Sequence, residues 1–145
     1  MPTRTARTEW HGGLQDGSGK VTLASSGIGT FDMSFPKRAA DDADGTTSPE
    51  ELIAAAHSAC FSMQFSAMLV DAGATVGSLE TEAQVGLGPD QPAGFRLTGI
   101  ALTVRGRVDG IDEATFQEVA VKAKGACPVS KALTGVDITL DAAFA

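Results

Sequence analysis

The longest patterned stretch of the chain is apolar almost all the way round. From Leu52 to Val70 the only polar residues are His57, Ser58, Ser62, Gln64 and Ser66. Ser48-Pro49-Glu50-Glu51 precedes it as a capping box with proline at the first helical position, and Gly73 follows it as a stop. The pattern predicts a helix from Pro49 to Ala72, about 24 residues or ~36 Å long. A helix apolar on nearly every side is a buried one. In so short a chain one sheet cannot cover it, so a second subunit is expected.

Before this helix the chain reads as short strands, Thr3 to Trp10, Lys20 to Ser25 and Thr30 to Phe35, separated by glycine turns. Ala39 to Thr47, with Asp41, Asp42, Asp44 and Gly45, reads as a solvated loop. After the helix, Leu79 to Leu87 and Phe95 to Val108 alternate as strands joined by Gly88-Pro89-Asp90. Asp112 is placed to cap a helix from Glu113 to Lys124, which Gly125 is expected to end. Pro128 starts a short helix through Leu133, and a last strand runs from Asp137 to Phe144. Strands, then helices, then strands again predict an α+β fold with mostly antiparallel pairing rather than alternating βαβ units. No internal repeat or composition break divides the 145 residues, which predicts a single domain, 1–145.

Hydrophobic residues make up 43% of the chain and charged residues 20%, enough for a core without metal or disulfide staples. The net charge is −7, from 18 acids against 11 bases, and no segment concentrates Lys or Arg. That argues against nucleic acid and anionic membrane surfaces as partners. No run approaches 18 consecutive apolar residues, so no membrane span is expected. The opening Met1 to Arg7 lacks the apolar stretch of a secretory signal, so a cytoplasmic protein is predicted.

Common chemistries drop out. Gly13 and Gly19 are one residue too far apart for a phosphate loop, and Val21 stands where magnesium would need a hydroxyl. There is no C-x-x-C pair and no G-x-S-x-G elbow. What remains is two cysteines, Cys60 and Cys127, in a chain expected to sit in a reducing compartment. They are either inert core residues or redox-active. Cys60 is mid-helix, with Ala56, His57, Met63 and Gln64 as its helical neighbours. Cys127 immediately precedes Pro128, where a helix N-terminus stabilises a thiolate. Local electrostatics alone favours Cys127 as the more acidic thiol and does not settle which one reacts first.

His57 and Cys60 also have metal-ligand spacing, with Cys127 or His11 as further ligands for zinc. His57 is also readable as a base toward Cys60, although a helix-face histidine is more often a packed or hydrogen-bonding residue. A thiolate in an apolar helix needs a cation, because burial raises a thiol pKa. Between Thr8 and Phe95 the only bases besides histidine are Lys20, Lys37 and Arg38. Arg38 is either a surface charge or, anchored by Glu50 or Glu51, an activating group.

These residues resemble a known family. Pro49 to Met63, reading PEELIAAAHSACFSM, is similar to the signature helix of the OsmC/Ohr thiol peroxidases. Gly110-Ile111-Asp112 with Thr115-Phe116, then Ala123 to Ser130 reading AKGACPVS, resembles its second block. Trp10 to Gly13 and Asp137 to Leu140 also fit, so the likeness spans almost the whole chain. Gly12 to Lys20 holds no arginine, where the organic-hydroperoxide-resistance branch carries its own. Arg38 before the acidic loop is similar to the osmotically inducible OsmC branch.

The resemblance implies an OsmC-like fold, an intertwined homodimer with sheets around central helices and active sites at the subunit interface. It implies that Cys60 is the peroxide-reacting thiol and Cys127 the resolving one, that Arg38 activates Cys60, and that Glu50 holds Arg38. That overrides the electrostatic preference for Cys127. The implied activity is reduction of organic hydroperoxides, and hydrogen peroxide less well, in oxidative and osmotic stress defence. No resident cofactor or metal is expected, only an external dithiol, with a lipoyl-type donor as one candidate. Phe61, Met63, Phe65, Met68 and Phe116 are open to two readings, pocket lining or plain core. The competing class is a redox sensor or small-molecule binder of the same fold.

Overall fold

In a computed structural model covering residues 1–145, the glycine-punctuated first third forms an antiparallel meander. Its strands are β1 (Arg7–His11), β2 (Ser18–Thr22) and β3 (Thr30–Met33), in the order β1-β2-β3. Lys20 of β2 pairs with Asp32 of β3 across the ladder. The third strand stops short of Phe35, because Ser34 leaves the sheet and caps a one-turn helix α1 (Phe35–Arg38). Ser34 Oγ accepts the Lys37 N–H at 3.3 Å, and Pro36 fits the first turn. Beyond it, Lys37 Nζ bonds Asp44 Oδ2 at 2.7 Å. These elements make up one compact unit, Met1–Pro49, and the rest of the chain, Glu50–Ala145, makes up a second.

The second unit is built on the long helix, α2 (Pro49–Asp71), as its apolar run predicts. It ends where Gly73 takes a positive φ of 90° and the Ala74 N–H reaches back to the Leu69 carbonyl at 3.0 Å. Two 15-residue strands follow as an antiparallel hairpin, β4 (Thr75–Pro89) and β5 (Phe95–Asp109). Asp112 caps α3 (Glu113–Ala126), its carboxylate accepting the Thr115 N–H at 2.8 Å. Then come α4 (Pro128–Ala132) and β6 (Ile138–Phe144). The sheet order is β4-β5-β6, and β6 runs parallel to β5. The α+β, antiparallel-rich expectation holds with one exception: β5, the two helices and β6 form a parallel crossover. Strand alternation carries no information about pairing direction, so the sequence could not show this.

Alternate residues of β5, Ile100, Leu102 and Val104, are buried on one face of the sheet. Against that face stand Phe61, Phe65 and Leu69 of α2 and Phe116, Val119, Ala120 and Ala123 of α3. The aromatic rings stack along the seam, Phe61–Phe65 at 5.4 Å, Phe65–Phe116 at 4.9 Å and Phe116–Phe144 at 5.2 Å between centroids. Gly106 of β5 makes room, since a Cβ there would sit 2.6 Å from the Phe116 ring.

Only one stripe of α2 is buried in the chain, Glu50, His57, Phe61, Phe65 and Leu69. The opposite side, with Ala55, Ala59, Met63, Ala67 and Val70, is exposed, Met63 by 69% and Val70 by 58%. The helix also has the length and apolarity of a membrane span, with a mean hydropathy of 1.4 over 18 residues. The sequence expectation of none rested on unbroken apolar runs, which scattered serines interrupt without lowering the average much. Its buried stripe nonetheless packs into the core, and Ser62 Oγ bonds Thr81 Oγ1 of β4 at 2.7 Å.

Candidate active site

Cys127 is the joint between α3 and α4. Its N–H donates to the Ala123 carbonyl at 2.9 Å, closing α3, and its carbonyl accepts the Lys131 N–H at 3.0 Å, opening α4. Pro128 forces the residue before it out of the helical region, and Cys127 adopts φ −59°, ψ 123°. Proline rather than Gly125 therefore ends α3, which runs through the glycine to Ala126. The turn aims the first free N–H groups of α4 back at the cysteine, whose side chain is wholly buried.

Cys60, half-buried on α2, packs against the buried cluster that contains Cys127, and each of the two free thiols shifts the titration of the other. They lie 67 positions apart in sequence, so the fold itself makes the pair. Burial pushes the Cys60 thiol up, and it outweighs the hydrogen bond from the Val129 N–H. The neighbouring Cys127 pushes it further the same way. Burial also opposes the Cys127 thiolate. There, however, the Ser130 N–H, the Cys60 thiol, the Ser130 hydroxyl and the Val129 N–H together win, and the thiol falls below its ordinary value. Within one chain, the electrostatic reading of the two cysteines holds: Cys127 is the more acidic.

One turn from each cysteine stands a residue that completes the cluster. His57, three positions before Cys60, is wholly buried, and its Nε2 lies 2.7 Å from Oγ of Ser130, three positions after Cys127. Its Nδ1 has no hydrogen-bond partner. Burial pushes the imidazole below its ordinary value, so the ring is neutral near pH 7. His57 thus turns toward Ser130 and the Cys127 side of the cluster. No three His, Cys, Asp or Glu side chains converge anywhere, so the zinc reading of His57 and Cys60 lacks a third ligand. Sequence reasoning missed Ser130. The signal was the matching spacing, His57 to Cys60 and Cys127 to Ser130.

The two other expected site residues are placed as follows. Glu50 is buried in the first turn of α2, ten residues before Cys60. That separates them by ~15 Å along one helix, so a chain's own Glu50 is not beside its own Cys60. Arg38 ends α1 and lines an apolar cavity of about 220 Å³ with Trp10, Leu14, Met33, Phe35 and Pro49. Phe61, Phe65 and Phe116, open to a pocket reading, are wholly buried core instead.

A helix carrying one free thiol thus packs near a proline-broken helix joint carrying another. The chain belongs to the OsmC family, whose description, OsmC-like protein, matches residues 41–141. It is 42% identical over 138 residues to the peroxiredoxin OsmC of Escherichia coli K12, covering 95% of this chain and 94% of that one. To the organic hydroperoxide resistance protein OhrA of Bacillus subtilis it is 35% identical, covering 99% and 98%. Among solved structures it resembles the organic hydroperoxide resistance protein OhrB of Bacillus subtilis. The TM-score is 0.75 at 32% identity, covering 95% and 97%.

Proposed function

We propose that this OsmC-family thiol peroxidase reduces organic hydroperoxides, and hydrogen peroxide less well, through a Cys60 sulfenic acid and a Cys60–Cys127 disulfide. The observation that carries the reading is the contact of two free thiols brought together across 67 residues.

Of the resting pair, Cys127 is the thiol that ionises more readily and Cys60 the one that burial holds back. Arg38 supplies the cation that draws the charge onto Cys60, the proton passing to Cys127, and Glu50 holds Arg38 in place. The Cys60 thiolate attacks the distal peroxide oxygen. An S–O bond forms, the O–O bond breaks, and the alkoxide takes a proton and leaves as alcohol. Cys127 then loses its proton and attacks the Cys60 sulfur, expelling hydroxide, which leaves as water. An external dithiol, such as a lipoyl-type donor, reduces the disulfide by exchange. The enzyme acts as a homodimer in the cytoplasm, within oxidative and osmotic stress defence, and the exposed apolar face of α2 supports that assembly.

Cumene hydroperoxide turnover with a dithiol donor tests the reading in wild type, Cys60→Ser and Cys127→Ser. One equivalent of peroxide should consume two thiols per chain in wild type and yield a Cys60–Cys127 crosslinked peptide. Cys127→Ser should stop at a sulfenic acid on Cys60 that dimedone traps. Dimedone labelling of Cys127 in Cys60→Ser at the wild-type rate reverses the assigned roles.

A further inference from the structure

We infer that Ser130 and His57 form a buried proton relay that takes the proton from Cys127 for the second, disulfide-forming step. The inference rests on the proposed roles of the two cysteines. It starts from a group that the peroxide chemistry leaves unused. A wholly buried histidine is costly to keep unless it does something, and this one makes a single short hydrogen bond, 2.7 Å to Ser130 Oγ. Ser130 in turn lies in the first turn of α4, three residues after Cys127 and buried like it, where its N–H and hydroxyl both favour the Cys127 thiolate. The three groups therefore stand in series, the Cys127 sulfur, the Ser130 hydroxyl and His57 Nε2, with the far end at the unpartnered Nδ1.

The line runs in two directions. While Cys127 is a thiol, its S–H donates to Ser130 Oγ, the Ser130 O–H donates to Nε2, and the neutral ring carries its proton on Nδ1. When Cys127 attacks, its proton passes to Ser130 Oγ as the Ser130 proton passes to Nε2. The result is a Cys127 thiolate accepting from Ser130 and an imidazolium donating to Ser130. The sulfur–sulfur bond then forms and the Cys60 S–O bond breaks. The departing hydroxide is protonated to water, and the imidazolium gives up its extra proton, so the ring ends neutral. No carboxylate pairs with Nδ1 to hold the charge on the ring, and burial opposes it, so His57 returns the proton readily. A base of this kind suits a brief transfer, where a strongly paired histidine would keep the proton.

The groups titrating near His57 are few. Cys60 lies one turn along α2 and Cys127 lies beyond Ser130. Glu50 is seven residues back on the same stripe, ~10 Å away. Lys131 of α4 is exposed, and Lys124 of α3 donates to the Ile138 carbonyl. Ser130 touches the reacting sulfur; His57 acts through it and is a positioning residue.

The test separates the two chemical steps by stopped flow in the full-length protein, with sulfenic acid trapping for the first and crosslink formation for the second. Ser130→Ala should slow disulfide formation about tenfold or more relative to the first step, and His57→Gln in the same direction. Ser130→Thr, which keeps the hydroxyl, should recover most of the rate. In a Cys60→Ser background the thiolate absorbance near 240 nm belongs to Cys127 alone, and Ser130→Ala should move its titration upward. In wild type, the imidazole ¹⁵N signal of His57 should respond at the pH where the Cys127 thiolate forms, which needs no variant at all. Folded Ser130→Ala and His57→Gln with wild-type second-step rates overturn the relay, as does a His57 signal blind to Cys127 ionisation. Failure of the wild-type protein to form the Cys60–Cys127 crosslink overturns the proposed function instead.

Discussion

A thiol pushed up by burial reacts only if something lowers it again, and at Cys60 the proposed agent is the Arg38 guanidinium. Arg38→Ala should therefore slow sulfenic acid formation on Cys60 by about a hundredfold and raise its thiol titration, with little change in the unfolding midpoint. Arg38→Lys should rescue poorly if a bidentate fork to a carboxylate holds the group. An unchanged Cys60 titration in Arg38→Ala removes Arg38 from the mechanism. His57 makes a second titration prediction. Its folded-state value is depressed below the ordinary 6.5, so the unfolded chain binds the proton more readily. Stability contributed by the neutral ring is present above pH 6.5 and is lost as pH falls below it toward the folded value. Urea unfolding at pH 7.5, 6.5 and 5.5 should show the loss, and His57→Gln should flatten it. The two cysteines and their motifs were legible in the chain, because each sits in a recognisable local context. The His57–Ser130 contact was not, because it exists only once α2 and α4 meet, 73 residues apart.

At the level of elements, helix and strand identity followed from periodicity, and the surprises came where periodicity is silent. The four-residue α1 is too short to show a helical repeat, though Ser34 and Pro36 carry its cap and first turn. The parallel β5–β6 ladder needs a crossover that no single strand announces. Gly125 reads as a helix stop, yet Cys127-Pro128 breaks the helix two residues later, since a missing N–H and a ring clash are stronger signals than glycine's flexibility. Two glycine substitutions should consequently act with opposite sign. Gly106→Ala drives a methyl to within 2.6 Å of the Phe116 ring at the centre of the aromatic seam, and should destabilise by about 1–3 kcal/mol. Gly125→Ala meets no atom within 4 Å inside a continuous helix, and should stabilise by about 0.5–1 kcal/mol. Thermal or urea melts of the two variants beside wild type check both. A stabilising Gly106→Ala contradicts the close approach of ring to strand.

For the whole molecule, the exposed face of α2 and the separation of Glu50 from Cys60 lead to one arrangement. A 23-residue helix that buries a single stripe leaves Ala55, Ala59, Met63, Ala67 and Val70 in water, a small-residue surface on which a second copy of the helix can approach closely. Burying it against a partner supplies the cover that the apolar pattern demands. Sedimentation should show a dimer at micromolar concentration, and Met63→Glu should shift it toward monomer with loss of stability. The proposed pairing also bears on the geometry of the proposed site. Glu50 stands ~15 Å along the helix from the Cys60 of its own chain and about 80° around it. If Glu50 anchors the activating arginine, the simplest source of that glutamate is the partner helix. Glu50→Ala and Cys60→Ser subunits should each be impaired as homodimers. Mixed dimers bring the intact Cys60 of one chain to the intact Glu50 of the other, restoring one full site in each and leaving the other with neither group. Activity should therefore rise when the two preparations are mixed and their subunits have exchanged. If it does not rise after verified exchange, each chain uses its own Glu50, and α2 must then bend or the arginine must bridge its length.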